Sequence, residues 1–198
     1  QKEKNNLIKE LLKKIEIGIV TKLDISENQV KIVYLGVGSN LGNKVNNIEK
    51  AKSYLLENNV NFLSVSSYYE TPSWPDQNNP KFINIVIKAS SKLKPIELLR
   101  LCKLIEVKLG RKKSIRNSPR ECDIDILDFN GLNLKGKLNL PHKMMHKRNF
   151  VLFPLFEIEK KWVHPIIKKN IKQLIYLLPN NDIRSIKQIW FSVIMNDA

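Results

Sequence analysis

Apolar positions along this chain switch several times between helical and alternating spacing, and the switches mark out its elements. Leu7, Leu11, Leu12 and Ile15 recur at helical intervals, which predicts a short amphipathic helix near residues 5–16. The polar stretch Asp24-Ile25-Ser26-Glu27-Asn28 then reads as a linker, so residues 1–28 are expected to be an N-terminal extension or the tail of a preceding domain. Ile32-Val33-Tyr34-Leu35 suits a strand buried on both faces. Gly36, Gly38, Ser39 and Asn40 are expected to break it, with Ser39 or Asn40 capping the next helix. That helix carries the stripe Leu41, Val45, Ile48, Ala51 and Leu55. Residues 60–69 read as one strand, and residues 71–75 as loop, because two prolines there remove backbone donors. From Phe82 to Lys88 the pattern alternates, with Phe82, Asn84 and Val86 on one face and Ile83, Ile85 and Ile87 on the other. Pro95 opens a second helix at its favoured first position; Ile96, Leu99, Cys102, Ile105 and Leu109 form its stripe, and Gly110 ends it. Glu121 to Phe129 is a further strand. Residues 148–158 and 165–178 read as helices, with Pro179 ending the second.

The order strand, helix, strand, strand, helix, strand predicts an α+β fold, ferredoxin-like, with helices packed on a mainly antiparallel sheet. Residues 29–178 are expected to form this domain, and residues 179–198 a C-terminal segment leading towards a further one. The chain has 198 residues, 42% of them hydrophobic, enough for one domain with a real core. No apolar run approaches transmembrane length, and the N-terminal residues Gln1-Lys2-Glu3-Lys4 lack a signal-peptide core. Cys102 and Cys122 belong to no C-x-x-C pair and read as reduced packing residues, which makes the cytoplasm the expected compartment. A formal net charge of +15 suggests an anionic partner: nucleic acid, a membrane surface or a phosphorylated small molecule. Biased codon usage gives the same Lys-, Asn- and Ile-rich look without selection on binding, so charge alone does not choose.

Chemistry concentrates in Arg116-Asn117-Ser118-Pro119-Arg120-Glu121-Cys122-Asp123-Ile124-Asp125-Ile126-Leu127. On an extended strand Asp123 and Asp125 share a face, their α-carbons roughly 6.5–7 Å apart, while Ile124 and Ile126 enter the core. Two carboxylates that close repel unless a cation or basic partner compensates. Oxygen-only ligation of this kind suits Mg²⁺, which takes its remaining ligands from water and substrate phosphates. The bland alternative is a pair of solvated aspartates on an edge strand. Eight basic residues between Arg100 and Arg120, opposed in that span only by Glu106, favour the metal reading, because arginine forks match phosphate oxygens. There is no P-loop and no kinase glycine loop, and Gly36-Val37-Gly38-Ser39-Asn40-Leu41-Gly42 is no dinucleotide fingerprint. The three histidines, His142, His146 and His164, make no metal-ligand spacing.

Several separated blocks together resemble 6-hydroxymethyl-7,8-dihydropterin pyrophosphokinase. They are Gly38-Ser39-Asn40-Leu41-Gly42, Tyr69-Glu70-Thr71-Pro72, Phe82-Ile83-Asn84, Ile105-Glu106 with Leu109-Gly110-Arg111, Ser118 to Leu127, Pro141-His142, and Arg148-Asn149-Phe150-Val151-Leu152. The resemblance spans roughly residues 31–165. It implies a ferredoxin-like α+β fold and transfer of the β,γ-diphosphate of ATP to the pterin hydroxymethyl oxygen, releasing AMP, in folate biosynthesis. It implies two Mg²⁺ ions bridging ATP to Asp123 and Asp125, and phosphate contacts from Arg111, Lys113, Arg120, His142 and Arg148. Phe82 and Phe150 would sandwich the pterin, with Asn84, Thr71 and Pro72 at its edge. Arg111 and Arg120 join the two aspartates as the expected catalytic set. Asn117, Ser118 and Lys143 depart from the family pattern, which bears on ATP affinity. Fusion to a dihydropteroate synthase or dihydroneopterin aldolase is an expectation from family habit. The rivals are a nucleic-acid-binding module stacking bases on Tyr34, Tyr68 or Phe82, and a catalytically dead domain of a longer folate enzyme.

Overall fold

The computed structural model describes residues 29–73, 76–112 and 118–189; the helix expected near residues 5–16 lies outside them. Strand β1 (Lys31–Ser39) pairs with β4 (Phe82–Ser91) on one side and β5 (Asp123–Phe129) on the other. β4 also carries β2 (Asn61–Val65) and β3 (Tyr68–Thr71), and β3 takes β6 (Lys187–Ile189) on its outer edge. Every pairing is antiparallel, in the order β5-β1-β4-β3-β6. Helices α1 (Lys44–Glu57) and α2 (Pro95–Lys108) cover one face. The other face holds α3 (Asn149–Ile158) and α4 (Ile171–Tyr176), followed along the chain by α5 (Asn180–Ser185). The expected ferredoxin-like α+β plan holds, extended by a second helical layer.

Alternation along the strands creates both layers. Leu35, Val37, Ile85, Ile87, Ile124 and Ile126 bury against Ile48, Ala51 and Leu55 of α1 and Leu98, Cys102 and Ile105 of α2. Tyr34, Val86 and Leu127 point the opposite way, onto Val151, Leu152 and Leu155 of α3. Between Leu35↔Ile126 and Tyr34↔Asp128 the register slips by one, leaving Leu127 as the extra residue of a β-bulge. The slip turns Asp128 inward, where its carboxylate accepts hydrogen bonds from Trp162 Nε1 (2.9 Å) and the Gly131 amide (3.0 Å).

Several expectations are corrected. β1 does not break at Gly36 but continues through Gly38 to Ser39, because β4 and β5 supply ladder partners on both sides. The cap of α1 is Asn43, whose side chain accepts from the Asn46 amide, and Leu41 precedes the helix in a largely exposed position. Residues 60–69 divide into two strands where the Ser66 hydroxyl accepts the Val86 amide (2.9 Å) in place of a backbone carbonyl. On α2 the buried stripe takes Leu98 and leaves Ile96 exposed. Within 165–178 only α4 is helical; a bridge between Val163 and Asn170 closes a turn, and Asn170 then caps the helix. Pro179 stands at the cap of α5, and β6 beyond it joins the sheet.

Candidate active site

The register brings the site residues into two rows across the sheet. Gly38 lies opposite Asn84 on one side and Asp123 on the other; Gly36 lies between Val86 and Asp125 in the same way. Because both central positions lack side chains, a trough runs down β1 between the β4 residues and the two carboxylates. A Cβ built on Gly38 would stand 2.6 Å from Asn84 Oδ1 and 3.4 Å from the Phe82 ring, so any side chain there would force Asn84 to shift. The resulting slot, about 30 Å³, is lined by Gly36, Gly38, Asn84, Asp123, Asp125 and Phe150 among others. Asn84 is buried at its floor and donates to Thr71 Oγ1 (3.2 Å) at the end of β3.

One wall of the trough is a lattice of opposite charges. Asp123 accepts from Arg120 Nη2 through one oxygen and from Arg111 Nη1 through the other, at 2.5 and 2.7 Å. Asp125 Oδ2 lies 3.2 Å from Arg148 Nη1 and 3.8 Å from His142 Nε2. Burial opposes the charge on Asp123, but Arg120, Arg111 and Lys103 outweigh it and hold its carboxyl below the usual carboxylate range. For His142 burial dominates and lowers its pKa, against Asp125 and with Arg148. The buried Nε–H of Arg120 has no acceptor among the described residues.

The loops that carry these groups are tied down. Asn40 accepts the Arg120 amide (2.8 Å) on Oδ1 and donates its own amide to the Arg120 carbonyl and its Nδ2 to the Pro80 carbonyl. The residue expected to cap a helix thus clamps the 118–122 loop to the entry of β4. Glu106, almost wholly buried, accepts from Lys103 Nζ (2.6 Å), Arg111 Nη1 (2.7 Å) and the Ile124 amide (2.8 Å). It holds Arg111 beside Asp123 and joins α2 to β5. Only its lone acidic charge among eight basic residues hinted at this task in the sequence.

Arg111, Arg120, Asp123, Asp125, His142 and Arg148 therefore converge, and Asn84 and Thr71 meet beneath them. Phe150 lines the slot with the Arg148 guanidinium 5.4 Å from its ring centre. Phe82 borders the trough beside Gly38, and its ring lies 5.2 Å below the Arg120 guanidinium. Pro72 follows Thr71 on the wall of a neighbouring cavity of about 470 Å³ that also touches Phe150. Lys113 and Asn117 lie outside the described residues; Ser118 opens the clamped loop and Lys143 is exposed. Of the platforms for a nucleic-acid module, Tyr34 is buried with its hydroxyl 3.5 Å from Glu159, and the half-buried Tyr68 hydrogen-bonds Glu49.

Fold and site together define an α+β domain in which guanidinium groups and paired carboxylates flank a narrow slot on the sheet. The profile of the 7,8-dihydro-6-hydroxymethylpterin-pyrophosphokinase (HPPK) family matches residues 34–160. The 2-amino-4-hydroxy-6-hydroxymethyldihydropteridine pyrophosphokinase of Aquifex aeolicus is 41% identical over 142 residues, 71% of this chain and 88% of that protein. Folic acid synthesis protein FOL1 of Dictyostelium discoideum is 40% identical over 150 residues, 75% of this chain but only 23% of that longer protein. Among solved structures, wild-type Plasmodium falciparum HPPK-DHPS with pteroate superposes with a TM-score of 0.62 over 75% of this chain and 42% of that one, at 16% identity, a likeness of fold. The chain belongs to the 7,8-dihydro-6-hydroxymethylpterin-pyrophosphokinase family.

Proposed function

We propose that the chain transfers the β,γ-diphosphate of ATP to the hydroxymethyl oxygen of 6-hydroxymethyl-7,8-dihydropterin and releases AMP. The observation that carries this reading is the glycine-floored trough, with Asn84 on one side and Asp123 and Asp125 on the other. In-line transfer at phosphorus needs positioning and neutralisation of phosphate oxygens more than covalent help. Arg111, Arg120, Arg148 and His142, with Lys113, are the groups assigned to the triphosphate. Phe150 and Phe82 are assigned to the pterin faces, and Asn84, Thr71 and Pro72 to its edge. Stacking on the Phe82 ring requires Arg120 to leave it, and a bound phosphate gives that guanidinium a better partner.

The donor set fits Mg²⁺. Asp123 and Asp125 present carboxylate oxygens from one face of β5, and no group of three potential ligands closes around them among the described residues. That suits an ion whose other ligands are water and phosphate oxygens. Two such ions, held by Asp123 and Asp125, would supply charge neutralisation when bound. Both oxygens of Asp123 are now engaged by arginine. Turning those arginines onto phosphate frees the carboxylate. No helix among the described residues is long and apolar enough to cross a membrane, and both cysteines are free and buried, which supports a cytoplasmic setting. Fusion to another folate enzyme remains part of the proposal, supported by the longer relatives.

The test is nucleotide release from ATP and Mg²⁺ with and without 6-hydroxymethyl-7,8-dihydropterin. Pterin-dependent AMP is the expected product. Pterin-independent ADP, or no nucleotide release from folded protein, would overturn the reading.

A further inference from the structure

Residues 171–189 lie beyond the stretch matched by the family profile, which ends at 160, yet they are joined to both sides of the proposed pterin site. On one side β6 pairs with β3 (Tyr68↔Ile189, Tyr69↔Gln188, Glu70↔Lys187), and β3 ends at Thr71, the partner of Asn84. On the other, Asn149 is buried and spans the gap between α5 and α3. Its Nδ2 donates to the Asp182 carbonyl (2.6 Å) and to Ser185 Oγ (3.1 Å), while its Oδ1 accepts the Phe150 amide (2.7 Å). Ser185 Oγ in turn donates to the Asp182 carbonyl (2.9 Å), closing a small network. The 470 Å³ cavity beside Phe150 is bounded by Thr71 and Pro72 and, from the later segment, by Leu178, Asp182 and Ser185.

We propose that Asn149 is a positioning residue for the pterin. Through it the segment 180–189 fixes the Phe150 ring against the slot, while β6 fixes the Thr71 side. This rests on the assignment of Phe150 and Thr71 to the pterin. One side chain grips a segment beyond the stretch that the family profile matches, so pterin affinity in this chain depends on residues 180–189 as well as on those within the profile. Of the nucleotide groups, Arg111, Arg120 and Asp123 hang from α2, β5 and the loop between them and are not tethered this way; Arg148 adjoins Asn149 but is also held by Asp125.

The substitution Asn149→Asp keeps the acceptor for the Phe150 amide but replaces the donor with a carboxylate facing the Asp182 carbonyl. With both hydrogen bonds donated by Nδ2 lost, it is expected to raise the KM for the pterin about tenfold, with the KM for ATP rising by clearly less. Ser185→Ala removes one acceptor and should raise it by a smaller factor in the same direction. Fluorescence titration of the pterin without turnover should give the same ranking. Folded variants with unchanged pterin affinity, or with equal losses for pterin and ATP, would overturn the proposal. If Asn149→Asp does not fold, Ser185→Ala alone decides between these outcomes. A wild-type chain that forms no pterin-dependent AMP would instead sink the functional reading beneath it.

Discussion

Asp125 and Gly38 bracket what single positions contribute to this site. Asp125 is the less committed carboxylate, with Arg148 and His142 near one oxygen. Replacing it with Asn removes a charge from a pair that would share metal ions with phosphate. Turnover is expected to fall at least about a hundredfold, on the scale of other electrostatic losses at transition states, while circular dichroism stays native; near-normal turnover would remove Asp125 from the mechanism. Gly38→Ala acts by volume. Its methyl group would collide with Asn84 Oδ1, so a stability loss of about 1–3 kcal/mol is expected, with pterin affinity in titration falling further than ATP affinity. Equal losses would mean that the trough is not where the ring sits. The shared face of Asp123 and Asp125 was legible in the sequence because alternation on a strand is a local rule, whereas Asn84 was singled out only by the family resemblance. Gly36 and Gly38 were misread because the same local rules treat glycine as a breaker, and only the strands on either side give these two a floor to make.

At the scale of elements, the coupling of α2 to β5 rests on Glu106. Its buried carboxylate holds Lys103, Arg111 and the first interior amide of β5. Glu106→Gln keeps the shape and removes the charge. Breaking a buried ion pair from one side costs about 3 kcal/mol, so urea unfolding should shift by that order, and ATP affinity should fall as Arg111 loses its anchor. A shift within error would reduce Glu106 to a packing residue. Most elements followed from periodicity: β4, α2 and β5 keep clear patterns over seven or more residues. Those that were missed are short. β6 has three residues, Lys187–Ile189, too few to show a period, and it exists because β3 has a free edge. The turn before α4 depends on His164, whose Nδ1 accepts the Ile166 and Ile167 amides, a role a lone histidine does not advertise.

For the whole molecule, that same histidine sets a pH limit. Burial, with His146 nearby, pushes the His164 pKa down to about 4, against about 6.5 in an unfolded chain. The folded form keeps it neutral, so its contribution is fully present above pH 6.5 and is lost as pH falls towards 4. A loss on the order of 1–3 kcal/mol is expected across that window, and His164→Gln should flatten the curve; an unchanged slope would count against it. A different constraint comes from the order in which the chain is made. β1 is an interior strand of the sheet, and its partners β4 and β5 begin at residues 82 and 123. During synthesis one edge therefore stays bare until β4 follows, about forty residues after β1 ends, and the other until β5 follows, about eighty residues after it, a state prone to pairing with other chains. Nascent fragments halted before Asp123 should pellet, whereas those reaching past Phe129 should stay in solution. The strand that needs both neighbours is made well before either, and the ribosome must shelter or outrun it.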